Sequence, residues 1–193
     1  MMQGWRRSMM VLAAGVLLAA PLRVLADAAA EAPAGAPPAQ GPASSDPSGD
    51  PAAVADTNGA YSDRAGNPTF SIKPDGTVDW YTGVGYTQYT ANCMQCHGPD
   101  GLGSTFAPAL VTALQTLDHD AFVDTVTNGK QNVSASQELV MPAFGRNPNV
   151  MCYLDAIYVY LRARADGALD RGPPQKIAPR PPGYSATVDA CMG

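Results

Sequence analysis

Apolar residues Val150, Leu154, Ile157 and Leu161 recur at steps of three and four, the spacing of one buried helical face. The pattern predicts a helix over 147–165, with Asn147 as N-cap, Pro148 in the first turn and Gly167 beyond the end. Two further helices are predicted at about 84–96 and 120–127. The second is opened by Thr116 or Asp118 and stopped by Asn128-Gly129. Phe70-Ser71-Ile72 and Thr77-Val78-Asp79-Trp80 flank Lys73-Pro74-Asp75-Gly76, which reads as a short hairpin around a Pro-Asp-Gly turn. Gly (19) and Pro (18) are abundant and belong in turns and linkers, so the expected class is mainly α with long loops.

The densest apolar run, 9–20, follows Arg6-Arg7 and precedes Val24-Leu25-Ala26. That order is a secretory signal, assigned to 1–26 with cleavage after Ala26. A retained membrane anchor is the alternative, but the run is short of the roughly 20 residues a spanning helix needs. No stable membrane insertion is expected after cleavage. Residues 27–57 hold 11 Ala, 6 Pro and 3 Gly with no aromatic or basic residue, so they cannot offset the entropy of ordering. They are expected to be a disordered linker, either a tether or a leader tail. Residues 58–193 then form the folded domain.

The chain carries 12 basic and 17 acidic residues, net −5. Loss of 1–26 removes three arginines and no acid, which leaves 9 basic residues and a net charge of −8. No basic cluster follows, which excludes the electrostatic footprint of a nucleic-acid binder.

The strongest chemical signal is Cys93-Met94-Gln95-Cys96-His97, the Cys-x-x-Cys-His attachment site of a c-type haem. On a helix, positions i and i+3 share a side, so both thiols can add to haem vinyl groups while His97 turns its imidazole under the iron. A redox disulfide or half a zinc site are the alternatives. A zinc site needs two more ligands, however, and the one other histidine is His119. A low-spin carrier also needs a second axial ligand. Met94 sits inside the attachment loop, Met151 inside the last predicted helix and Met192 at the C-terminus. Met141, followed by Pro142, falls in an irregular loop from which a thioether can be aimed, and it is the assigned ligand. His119, between Asp118 and Asp120, reads as a solvated surface residue. Haem uses two of the four cysteines, which leaves Cys152 and Cys191 as a disulfide in an oxidising compartment, fastening a Pro-rich tail to the last helix.

Gly85-x3-Tyr89-x3-Cys93, Cys96-His97-Gly98, Ala107-Pro108-Ala109-Leu110, Met141-Pro142 and Tyr160-Leu161-Arg162 resemble the successive signatures of class I cytochromes c. The resemblance covers 84–165. It implies the class I cytochrome c fold around one covalently bound haem c, with a short N-terminal hairpin or irregular extension and a long C-terminal tail. It further implies that Gly85 and Tyr89 pack on the last helix near Ile157 and Leu161, and that the Pro108 carbonyl accepts the His97 N–H. Phe106, Leu110, Phe122, Val126, Phe144, Leu154 and Ile157 are expected around the haem. The aromatic lead 61–86 and the second cysteine pair resemble the four-cysteine cytochromes of methanol metabolism, relatives of cytochrome c-L.

That finer resemblance implies a periplasmic, monomeric, non-enzymatic carrier. A PQQ-dependent methanol or alcohol dehydrogenase would be its donor, and another cytochrome c or a terminal oxidase its acceptor. The rival readings are a haem-based ligand sensor or small peroxidase-like enzyme, which need an open sixth position, and a fixed haem subunit of an alcohol dehydrogenase.

Overall fold

A computed structural model describes residues 52–133 and 138–193. The expected signal peptide and most of the expected linker lie outside these residues.

Helix α1 (Trp80–Asn92) begins four residues before its expected start, because Asp79 caps it. The Asp79 carboxylate accepts from the Thr82 backbone N–H at 2.8 Å, the Thr82 hydroxyl at 2.6 Å and the Ser71 N–H at 2.8 Å. The helix stops at Asn92, and a separate turn, α2 (Met94–His97), carries the second cysteine and the histidine. A short helix, α3 (Leu110–Ala113), was not anticipated. Helix α4 (His119–Asn128) is capped by Asp118, whose side chain accepts from Ala121 N–H at 2.8 Å. The last predicted helix is broken into α5 (Pro148–Met151) and α6 (Leu154–Ala165), and the break falls at Cys152.

The core forms where α6 meets α1 and α4. Tyr89, Phe122, Leu154, Ile157, Tyr158 and Leu161 are among its buried members. Gly85 is required at the α1–α6 crossing: a Cβ there would lie 1.9 Å from the Ala156 carbonyl oxygen and 2.8 Å from Tyr160 Cβ. The contact partners are therefore Ala156 and Tyr160, each one residue before the expected Ile157 and Leu161.

Strands β1 (Ala55–Thr57), β2 (Ala60–Ser62) and β3 (Pro68–Thr69) form an antiparallel sheet in that order. Asn58 and Gly59, both at positive φ, make the two-residue turn between the first two. This corrects the expected linker boundary, since 55–57 are paired strand and not disordered chain. The hairpin expected around Pro74 shrinks to a turn closed by one antiparallel bridge, Ile72 to Val78, because Asp79 and Trp80 are taken by α1. A second ribbon, β4 (Lys130–Val133) with β5 (Glu138–Met141), replaces the irregular loop expected before Pro142.

The tail does more than hang from a bridge. Residues 176–178 run alongside Val78, which donates to the Lys176 carbonyl at 3.0 Å and accepts from Ala178 N–H at 2.9 Å. The chain ends in α7 (Tyr184–Met192), where Tyr184 meets the rings of Trp80 and Tyr81 edge-on. Cys191 of α7 is disulfide-bonded to Cys152, with Cα atoms 5.7 Å apart.

Candidate functional site

Cys93 ends α1, and its carbonyl accepts from the N–H groups of Cys96 (3.2 Å) and His97 (2.9 Å), which winds α2 tightly behind it. The loop after α2 folds back. Gly103 N–H donates to the His97 carbonyl at 2.7 Å. The Tyr89 hydroxyl braces the same loop, donating to the Gly98 carbonyl and accepting from Gly101 N–H at 3.0 Å. The return brings the Pro108 carbonyl to 3.0 Å from His97 Nδ1. A carbonyl can only accept, so Nδ1 is the donor, and in the neutral ring the lone pair is on Nε2.

His97 is buried on the wall of a cavity of about 610 Å³, within the roughly 300–1,000 Å³ range of ligand sites. Cys93, Cys96, Pro108 and Met141 line the same cavity. Met141 closes β5 and is held by the ladder on one side. On the other, Phe144 N–H donates to Val126 O at 2.9 Å and Gly145 N–H to Thr127 O at 3.0 Å. Burial pushes the Cys93 thiol up to about 11, with a smaller push from Cys96. Reactive thiols of redox Cys-x-x-Cys motifs are shifted the other way.

The donor set fits a haem: two thiols at i and i+3, an imidazole with its second nitrogen already bonded, a thioether and a mostly apolar wall. Of the residues expected around it, Phe106, Leu110 and Phe144 line the cavity. Phe122, Val126, Leu154 and Ile157 do not; they face one another and Tyr158 in the core, with the Phe122 and Tyr158 rings 5.3 Å apart. His119 is also corrected. It is largely covered, lies 2.9 Å through Nε2 from Asp155 Oδ1 and meets the Tyr158 ring at 4.8 Å, so it joins α4 to α6 away from the cavity.

Among the lining residues missed from the sequence are Lys130, Asn132, Leu139 and Val140 on the ribbon and Leu117 after α3. The short apolar run Leu139-Val140-Met141 was the available signal for the ribbon. Among the described residues no group of three or more His, Cys, Asp or Glu could hold a metal ion by itself, and no helix is long and apolar enough to cross a membrane.

Residues 83–161 match the family model for cytochrome c oxidase, cbb3-type, subunit III. Cytochrome c-553I of Paracoccus denitrificans is 47% identical over 135 residues, which are 70% of this chain and 60% of that protein. The chain thus spans less than two thirds of that relative's length. Cytochrome c-555 of Methylococcus capsulatus is 33% identical over 110 residues, 56% of this chain and 80% of that protein. The crystal structure of the c-type cytochrome XoxG from Methylobacterium extorquens AM1 superposes with a TM-score of 0.67. It shares 46% identity and covers 72% of this chain and 85% of that one.

Proposed function

The chain belongs to the class I c-type cytochromes, electron-transfer proteins and not enzymes, and from that membership we propose a periplasmic monohaem carrier fed by a PQQ-dependent methanol or alcohol dehydrogenase. The observation that carries the carrier reading is the single cavity lined by Cys93, Cys96, His97 and Met141, with His97 oriented by the Pro108 carbonyl. In this reading Cys93 and Cys96 hold one haem c by thioethers, and His97 and Met141 are its axial ligands. When bound, the haem supplies an iron that cycles between ferric and ferrous.

The chain's own residues do the rest. The Pro108 carbonyl keeps His97 in one tautomer and raises its basicity. The ladder and the Phe144–Val126 bond fix the backbone from which Met141 presents its side chain. The mostly apolar wall offers few polar partners, and His/Met ligation favours the ferrous state. The second cysteine pair and the resemblance to four-cysteine methanol cytochromes support the donor class, and the likeness to XoxG agrees with it. The signal-like segment 1–26 supports export. Onward transfer would go to another cytochrome c or a terminal oxidase.

Purified from a haem-maturing host, the protein should contain one haem per chain, resist extraction of that haem, and show a thioether-to-iron charge-transfer band when oxidised. Added PQQ dehydrogenase plus alcohol should then reduce it. Ready carbon monoxide binding at neutral pH, or absence of that band, would overturn the carrier reading. Reduction by no quinoprotein would overturn the donor assignment alone.

A further inference from the structure

The cavity wall has a charge pattern at odds with the rest of the molecule. The chain is acidic, yet no Asp or Glu lines the cavity, and Lys130 is the one Lys or Arg on its wall among the described residues. Lys130 opens β4 and stands directly across the ladder from Met141. Cross-strand partners in an antiparallel pair share a face, with Cβ atoms about 4.5–5.5 Å apart. The register therefore puts the wall's one cationic side chain beside the candidate thioether ligand.

A haem brings two carboxylates, and a carboxylate drawn into a partly apolar site needs a cation or a donor facing it. Lys130 supplies the charge, and Asn132, two residues along the same strand and also on the wall, supplies amide donors. Reduction of ferric to ferrous iron removes one positive charge from the site. A nearby cation makes that step more favourable, and a neutralised carboxylate acts in the same direction.

We propose that Lys130 is a positioning residue for the electron-transfer site: its charge holds the haem carboxylate edge against the β4–β5 ribbon and biases the iron toward the ferrous state. This rests on the haem reading given above. Lys130 is exposed, so part of the effect is screened by salt. At separations near 10 Å and an intermediate effective dielectric, one unit charge changes the reduction equilibrium by about three- to ten-fold.

The test uses the full-length holoprotein with K130R, K130Q and K130E. Midpoint potentials are measured by spectroelectrochemistry at low and high salt, with the haem and thioether-to-iron bands recorded alongside. K130R should match the wild type. K130Q should be about three- to ten-fold harder to reduce at low salt, and K130E harder again by a similar factor, with both steps shrinking in salt and the bands unchanged. Equal potentials for Lys, Gln and Glu with the band intact overturn this inference alone. So does an order that follows side-chain size instead of charge, or loss of the band in K130Q. A wild-type protein lacking the band overturns the haem-ligand reading and this inference with it.

Discussion

The cavity and the region where the N-terminal extension and tail meet α1 and α6 are built in different ways. On the cavity, Phe106 is 71% and Val140 53% exposed, and Cys96 is open to solvent. Where the extension and tail converge, Val78, Asp63 and Arg162 are at most 2% exposed. Arg162 of α6 donates to Asp63 at 3.0 Å and to the Pro68 carbonyl at 3.1 Å, while Asp63 also accepts from the N–H groups of Ala65 and Asn67 at 2.9 Å. The extension is thus tied to α6 through a buried ion pair. The difference teaches that the residues holding the fold together are separate from those at the cavity mouth, which can stay open for electron exchange without loosening the fold.

The sharpest way to break that separation is to damage the buried side and watch the cavity. Asp63→Ala removes the buried carboxylate from Arg162 and should cost about 3–5 kcal/mol in denaturant titrations. The haem spectrum of the folded fraction should not change. Asp63→Leu combined with Arg162→Met should recover only part of that loss, because it removes the unpaired guanidinium but also takes the cation from Asp166, 3.9 Å from Arg162 Nε. A spectrum that shifts with Asp63→Ala would mean the two regions are coupled.

Next in size is the bridge. Cys152 and Cys191 are 39 positions apart, so the closed loop is long, and replacing both by Ser should lower stability by about 2–4 kcal/mol. Hydrogen exchange should quicken in α7 and around Trp80, where Tyr184 rests, and stay unchanged in the β4–β5 ribbon. Faster exchange in the ribbon would show that the tail supports the site.

These two regions also differ in how far the sequence revealed them. Cys93, Cys96 and His97 were legible from a fixed short spacing, Met141 from its place before a proline in a loop, and Pro108 from the family resemblance; the structure puts all five on one cavity. The three main helices were legible from apolar periodicity and caps to within a few residues. The buried ion pair was not, because Asp63 and Arg162 are 99 positions apart and nothing local distinguishes either from a solvated charge. Asn58-Gly59 was a readable hairpin turn, hidden by ending the Ala/Pro-rich segment one residue before it. The ribbon that presents Met141 was lost because its strands are only four residues each and Pro142 follows at once. Helix α7 was lost because five prolines precede it and suggested irregular chain to the end.

A smaller effect appears at alkaline pH. Burial pushes the Tyr184 hydroxyl up to about 12, with nearby Tyr153 adding to it. An unfolded chain loses that proton near 10. Below pH 10 both states hold the proton and the group contributes nothing; between about 10 and 12 only the unfolded state releases it, so stability falls as pH rises. Tyr184→Phe should make the fall shallower without flattening it, since burial raises Tyr89 and Tyr160 as well. Denaturant midpoints measured from pH 9 to 11.5 would reveal it, and an unchanged slope would show that the α7 contact opens before the chain unfolds.

The smallest stability effect should come from the cavity side, where it separates function from folding most cleanly. Phe106 is the most exposed large apolar residue among those described, and it stands at the cavity mouth. Phe106→Ala removes little buried area, so stability should move by no more than about 0.5 kcal/mol and the haem spectrum should stay as it was. An aromatic side chain presented at an open edge is, however, the kind of anchor that dominates transient interfaces. Reduction by a PQQ dehydrogenase with alcohol should therefore slow by about five-fold or more. Val54→Ala is the control: Val54 is 55% exposed and lies in the extension, and its truncation should change neither stability nor rate. If Val54→Ala slows reduction and Phe106→Ala does not, the docking face is on the extension, and the open cavity mouth is not where the donor binds.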